Sequence, residues 1–285
     1  MALFRSTPTR STRLQPAAPR RMLTRGAVKA APSVKAWAWL GGIAGLVGAL
    51  VFFAPAAWLG YAVQRATNTH VQLVETRGTV WTGSARLLLT GGVDSRDAAV
   101  LADRVQWTLR PSLNGVRMQL QALCCSPQPA QLDISPRWGG AQLNVQGLRL
   151  QMSAALLSGL GTPWNTLQPR GQLNIASDAL GVEWIEGRAQ LSGAATLDMT
   201  DISSRLSTLR PLGDYRLSLT GGSNTSVQLQ TLQGALQLSG SGQWVGSRLR
   251  FSGEATATPN REEALSNLLN IIGRRNGARS MISLG

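Results

Sequence analysis

The sequence predicts a mainly β protein: a single N-terminal transmembrane helix, then an antiparallel β-sheet domain that ends in a short helix. Three observations carry that expectation. Residues 36–64 are 29 consecutive positions without a charge. Beyond them, apolar and polar residues alternate with the period of two that marks a strand with one wet face. Near the end, Leu265, Leu268, Leu269 and Ile272 fall on one helical stripe.

The uncharged stretch exceeds the roughly 20 helical residues that a bilayer core requires. Trp39 and Trp58 are 19 positions apart, about 28 Å along a helix, and with Trp37 and Tyr61 they mark an aromatic belt at each interface. Pro55 sits near the far end, where a kink costs least. Ahead of the span lies an arm, residues 1–35, with Arg5, Arg10, Arg13, Arg20, Arg21, Arg25, Lys29 and Lys35 and no acidic residue; the first acid in the chain is Glu75. This asymmetry predicts an arm in the cytoplasm and residues 66–285 across the membrane. A cleaved signal peptide, with Ala54-Pro55-Ala56 as its small-residue site, is the competing reading. The arm and the apolar run are both too long for it. Rich in Ala, Pro, Ser, Thr and Arg, the arm is expected to be disordered.

Most of the net charge of +14 lies in the arm and the span: residues 1–65 hold nine basic residues, eight of them in the arm, and no acidic ones, leaving 19 basic against 14 acidic, or +5, for the rest. Beside a span, topology and anionic lipid account for such an excess, and nucleic-acid binding is not expected. Gly41, Gly45 and Gly48 give the span a small-residue face on which two copies of the chain could pair as a homodimer.

In the domain, Val105, Trp107 and Leu109 alternate with Gln106, Thr108 and Arg110. Val116, Met118, Leu120 and Ala122 alternate with Arg117, Gln119 and Gln121. Ala141, Leu143 and Val145 form a third series, whose phase changes at Gly147 to Leu148, Leu150 and Met152. The longest series is Ala189, Leu191, Gly193, Ala195, Leu197 and Met199. Leu236, Leu238 and Trp244, then Leu249, Phe251, Ala255 and Ala257, close the pattern. Trp81, Trp107 and Trp244 are expected to be buried anchors. Residues 153–160 suit a short helix, and 260–273 a longer one capped by Asn260 and stopped by Gly273. Met281 to Leu284 suits a last strand. A weak repeat pairs the hairpin at Gly78–Ala85 and the later Thr108-Leu109-Arg110-Pro111 with Gly187–Ala194 and Thr208-Leu209-Arg210-Pro211. Two related β layers would explain it.

No catalytic constellation stands out. His70 is the only histidine and lies next to the span, which argues against nucleophilic triads. No phosphate-binding loop precedes a helix: Gly240-Ser241-Gly242-Gln243-Trp244-Val245-Gly246 lies between alternating strands and reads as bends in a sheet. Asp198, Asp201 and Asp214 are spread over separate elements. The two cysteines, Cys124 and Cys125, are adjacent, so they either stay free, bond to each other or bond to other chains. They are too remote from His70 for a metal site. No enzyme activity, cofactor or metal is expected.

Four segments carry a resemblance. They are Gly78-Thr79-Val80-Trp81-Thr82-Gly83-Ser84-Ala85; Leu101-Ala102-Asp103-Arg104-Val105-Gln106-Trp107-Thr108-Leu109-Arg110-Pro111; Leu209-Arg210-Pro211-Leu212-Gly213-Asp214-Tyr215; and Gly234-Ala235-Leu236-Gln237-Leu238-Ser239-Gly240-Ser241-Gly242-Gln243-Trp244, continuing through Phe251-Ser252-Gly253-Glu254-Ala255 to the last helix. In this order and spacing the chain resembles the type II secretion system protein N family over about residues 76–285. The long basic arm and the Cys124-Cys125 pair depart from it. The resemblance implies a non-catalytic accessory component of the bacterial inner membrane, with a periplasmic β domain that binds inner-membrane and periplasmic components of the exporter. A second reading is similarity to AsmA-type proteins, which also follow a membrane span with amphipathic β layers. It implies contact with membrane lipid and lipid handling or outer-membrane assembly.

Overall fold

The computed structural model describes residues 34–185, 188–245 and 248–285; the basic arm expected over 1–35 falls almost wholly outside them. Among the described residues the alternating segments form fourteen strands. They are β1 (Val71–Gly78), β2 (Thr82–Thr90), β3 (Ala98–Ser112), β4 (Gly115–Ala122), β5 (Ala130–Arg137), β6 (Gly140–Ser153), β7 (Arg170–Ile185), β8 (Arg188–Ser203), β9 (Gly213–Thr220), β10 (Ser226–Gly234), β11 (Leu236–Val245), β12 (Arg248–Ala257), β13 (Arg274–Asn276) and β14 (Arg279–Leu284). All belong to one antiparallel sheet in chain order, except that β14 precedes β13 at the end. The two layers suggested by the internal repeat are therefore not formed. The repeat is not structural either: Thr108–Pro111 lie within β3, whereas 208–211 lie in the connection between β8 and β9.

One face of this sheet is apolar, and helical pieces cover parts of it. Helix α1 (Val34–Phe52) ends before Ala54 and helix α2 (Ala56–Ala66) follows. Among the described residues no helix is long and apolar enough to cross a membrane, and the single helix expected over 36–64 is divided at Pro55. The physical cause is legible. Pro55 has no N–H to give to the carbonyl four residues back, that of Val51. The Trp81 indole N–H donates to that carbonyl instead, at 2.7 Å. The Val80 N–H donates to Ala54 O at 2.9 Å, and Pro55 bridges to Thr79. The break is thus fastened to the turn between β1 and β2. Helix α2 then lies on the sheet: Ala56 forms a buried cluster with Ala85 and Trp107, against which Leu59, Leu73 and Leu109 pack. Gly60 permits the approach, since a Cβ there would sit 3.3 Å from Leu73 O.

A 3₁₀ helix at Ala154–Leu160, begun by Ser153 accepting from the Ala155 N–H, and the short α3 (Trp164–Leu167) form a second cover. Leu156 packs against the cluster of Leu101, Val105 and Ala122, as do Leu150 and Met152. The third is α4 (Glu262–Ile272), which buries Leu265, Leu268 and Leu269 against Leu212, Tyr215, Leu236 and Ala255. Gly273 stops it as expected. Asn260 does not cap it: Arg261 occupies that position without a side-chain hydrogen bond, and Asn260 instead takes a left-handed conformation in the preceding turn.

Residues 141–145 are all half-buried, and alternation is seen only after Gly147; the bulge expected there is not formed. Leu148, Leu150 and Met152 are half-buried while Arg149 and Gln151 are exposed. Gly147 adopts φ +63, and the β6–β7 register is the same on either side of it. Cys124 and Cys125 are bonded to each other in the turn after β4.

Candidate apolar groove

Between the second and third covers, no helix among the described residues plugs the apolar face of β7–β12. It lines a groove of about 660 Å³ whose wall is apolar throughout. The strand register builds it in rows. Leu197, Leu217 and Leu229 are consecutive cross-strand partners on β8, β9 and β10. The row continues through Gly240 and Gly253 on β11 and β12. Next to it run Leu219, Val227, Gly242, Phe251 and Leu284. Glycines at 240, 242 and 253 give this floor no side chains of its own. The Phe251 ring lies over them: a Cβ at Gly240 would strike it, and one at Gly242 would come to 3.0 Å.

The two ends differ. At one end, Leu268 and Ile272 of α4 and Leu212 close the groove. Tyr215 is buried there and donates its hydroxyl to Leu236 O at 3.1 Å. Burial, with a smaller contribution from the Asp214 carboxylate, pushes the Tyr215 phenol well above its usual range. Ser204 spends its hydroxyl on Leu167 O at 2.6 Å. Trp164 and Leu167 of α3 and Leu157 form the flank.

At the other end, Trp244 pairs across the hairpin with Leu249. Trp244 is 39% exposed and Leu284 59%. Trp81 and Trp107 are close to expectation: Trp107 is buried at 2% and donates to Val80 O, and Trp81 is half-buried. Trp244, expected as a buried anchor, instead stands at the open end. Leu113, Trp138 and Trp184, also exposed, lie at the hairpin ends that point the same way along the strands.

A second depression, of about 640 Å³, shares Val227, Phe251 and Leu284 with the groove and is lined by Arg250, Gln228, Gln243 and Ser226. Its Arg250, Gln228, Gln243 and Ser226 alternate with Phe251, Val227 and Gly242, so it lies on the opposite, polar face of the sheet from the groove, beside the edge of β14. Among the described residues β13 pairs with Arg279–Met281 of β14, and none pairs with Ile282–Leu284 on that side. Arg248 and Arg250 are exposed at the same end.

On the polar face, Asp198 and Arg216 are direct cross-strand partners on β8 and β9 and form a two-pronged pair at 2.6 and 2.8 Å. Those hydrogen bonds hold the Asp198 carboxyl below its usual range. Desolvation opposes them, and the Arg216 charge adds a smaller lowering. Asp201 and Asp214 are drawn together, Asp214 accepting from the Asp201 backbone N–H at 2.7 Å, but neither faces the groove. Among the described residues no group of His, Cys, Asp and Glu could hold a metal ion. Periodicity places Leu197, Leu236, Leu238, Leu249 and Phe251 on the apolar face; Leu217, Leu219, Val227 and Leu229 of β9 and β10 lie outside the series read from the sequence, and nothing in it marks the gap between the covers.

A family model described as type II secretion system (T2SS), protein N, matches residues 69–282. None of the curated proteins matches the chain. None of the solved structures does either.

Proposed function

The chain belongs to the type II secretion system protein N family, and from that premise we propose that it is a non-catalytic accessory component of the exporter. We place it at the bacterial inner membrane as a single-pass protein, arm in the cytoplasm and sheet in the periplasm. The family match is the observation that carries the role in secretion.

The anchoring is read from the sequence around α1. Lys and Arg precede it, no acidic residue occurs before Glu75, and its large side chains from Trp37 to Phe53 are almost all exposed. The membrane segment would lie in the uncharged run before α2, residues 36–53; α1 by itself is not long and apolar enough to cross a bilayer, so the assignment rests on the charge pattern around it. The segment is shorter than the 36–64 span read from charge alone, because α2 is committed to the sheet. No free linker follows: Ala54 is already bonded to Val80. The sheet is therefore tied to the chain leaving the bilayer, where the exporter's inner-membrane and periplasmic components also lie. A shared membrane raises the effective concentration of such partners, so modest affinities suffice. Gly41, Gly45 and Gly48 would allow a second copy to pack against the anchor.

The test is a deletion strain together with crosslinking in membranes. Deletion should lower exoprotein secretion or abolish crosslinks between inner-membrane and outer-membrane parts of the exporter. Normal secretion and assembly with altered outer-membrane lipid would instead favour the second reading, lipid handling, for which the apolar groove is the supporting observation.

A further inference from the structure

We propose that one end of the first six strands is a docking surface for the anionic face of the bilayer. Leu113 and Trp138 enter the head-group layer there, and Arg77, Arg110, Arg117 and Arg137 meet lipid phosphates. The proposal rests on the anchoring read for residues 36–53 and adds to it a second, separate contact.

The order of the sheet gathers these residues. Strands β1 to β6 pair antiparallel in chain order, so the β1–β2, β3–β4 and β5–β6 turns fall at the same end of the strands. The chain enters the sheet at that end: Val51 O accepts from the Trp81 indole and Ala54 O from the Val80 N–H. Phe53 and Trp58, on either side of the entry, are exposed. An anchor that ends in the first turn leaves the membrane there, which puts the next two turns beside the surface it leaves. At about 4.8 Å per strand, the β3–β4 turn is about 10 Å and the β5–β6 turn about 20 Å along the sheet. Adjacent strands rotate by roughly 20–25°, which carries later turns progressively round, so the surface is limited to the first three.

The chemistry of these turns selects the neighbour. Leu113 and Trp138 are exposed at 104% and 101%, so no contact within the fold accounts for them. An indole, apolar with one N–H at its edge, suits the head-group layer. The four arginines are exposed and lie within three residues of the turns, a stretch with no acidic residue. Guanidinium is the side chain best matched to phosphate. Arg117 donates to Asp133 at 2.8 Å and Arg137 lies 3.9 Å from Glu183, whereas Arg77 and Arg110 enter none of the ion pairs among the described residues. The other end of the same strands is different. Its β2–β3 turn sets Asp94 and Asp97 against Arg96, and its β4–β5 turn has no charge. Exposed Val93 and Leu123 there have no basic cluster beside them, so an anionic surface is favoured at one end alone.

The experiment uses the full chain in phosphatidylglycerol nanodiscs, with p-benzoylphenylalanine replacing Phe52, Val93, Leu113 or Trp138 one at a time. After irradiation, lipid crosslinks are quantified by mass spectrometry. Those from positions 52, 113 and 138 should exceed those from 93 by about five-fold. In phosphatidylcholine nanodiscs the yield at 138 should fall by about three-fold while that at 52 holds. Arg77→Gln combined with Arg110→Gln, both exposed and outside the ion pairs, should give the same fall in phosphatidylglycerol. Lipid crosslinks from 52 alone would overturn the proposal and leave the anchor standing; none from any position would overturn both. Equal yields at 93 and 138, or no dependence on lipid charge, would overturn the assigned surface. In cell membranes, crosslinks from 138 to another protein in place of lipid would overturn the assigned partner.

Discussion

Leu265 provides the sharpest test of how the closed end of the groove is built. Its side chain is 0% exposed and packs among Leu212, Tyr215, Leu236 and Ala255. Leu265→Ala removes three carbons, worth about 2.4 kcal/mol at about 0.8 kcal/mol per buried methylene. The cavity left behind adds to this, bringing the expected loss to about 3–4 kcal/mol, within the range measured for buried leucines. For a domain of this size each kcal/mol lowers Tm by about 2–4 °C, so a fall of about 6–16 °C is expected. Ile271→Ala is the control: it lies on the same helix at 46% exposure and should change stability by about 0.5 kcal/mol or less. Circular dichroism melts of the full chain in one detergent measure both. If Leu265→Ala melts with the control, α4 is not docked on the sheet, and the groove has no end wall.

Asp198→Asn should lower Tm at neutral pH. The folded carboxyl titrates below its unfolded value, so its contribution is present above about pH 4 and is lost as pH falls through the folded value. The difference between variant and parent should therefore close in acid, as melts across pH would show. Ser280 is 0% exposed and its hydroxyl has no partner among the described residues. Ser280→Ala should leave Tm unchanged or raise it by about 2–4 °C, since about 1 kcal/mol of desolvation is recovered; a lower Tm would reveal an unseen partner. Trp81→Phe should cost about 1 kcal/mol by stranding the Val51 carbonyl, and less in a Pro55→Ala background, where residue 55 regains its N–H. Equal costs in a double-mutant cycle would show that the indole does not compensate for the proline.

Local pattern was readable where local forces decide. The period-two segments became strands on the expected faces, Leu265, Leu268 and Leu269 became a buried stripe, and Gly273 ended its helix. Partners remote in sequence were not readable. The apolar stretch breaks at Pro55 because Trp81, 30 residues away, takes the orphaned carbonyl. Asn260 had the right chemistry for a cap, but the turn places Arg261 there. The groove illustrates the deepest limit. Leu197, Leu217 and Leu229 alternate as residues of any packed interior do, and only the spacing of the helical covers leaves room above them. Trp244 was read as an anchor for the same reason: its parity is right, but the row it belongs to runs out at a hairpin end.

The order of the sheet also sets how the molecule can be made. Through β12 every strand pairs with the one synthesised just before it, so assembly closes only short loops and contact order is low. A chain emerging N-terminus first can add strand upon strand to a growing edge without waiting for a distant partner. That moving edge is an open template until the last 24 residues arrive, when the three-residue β13, carrying Arg274 and Arg275, ends it with charge. The same residues bring α4 and β14. Termination of the sheet and closure of the groove are thus one late event, and a chain shortened before Glu262 would lose both together.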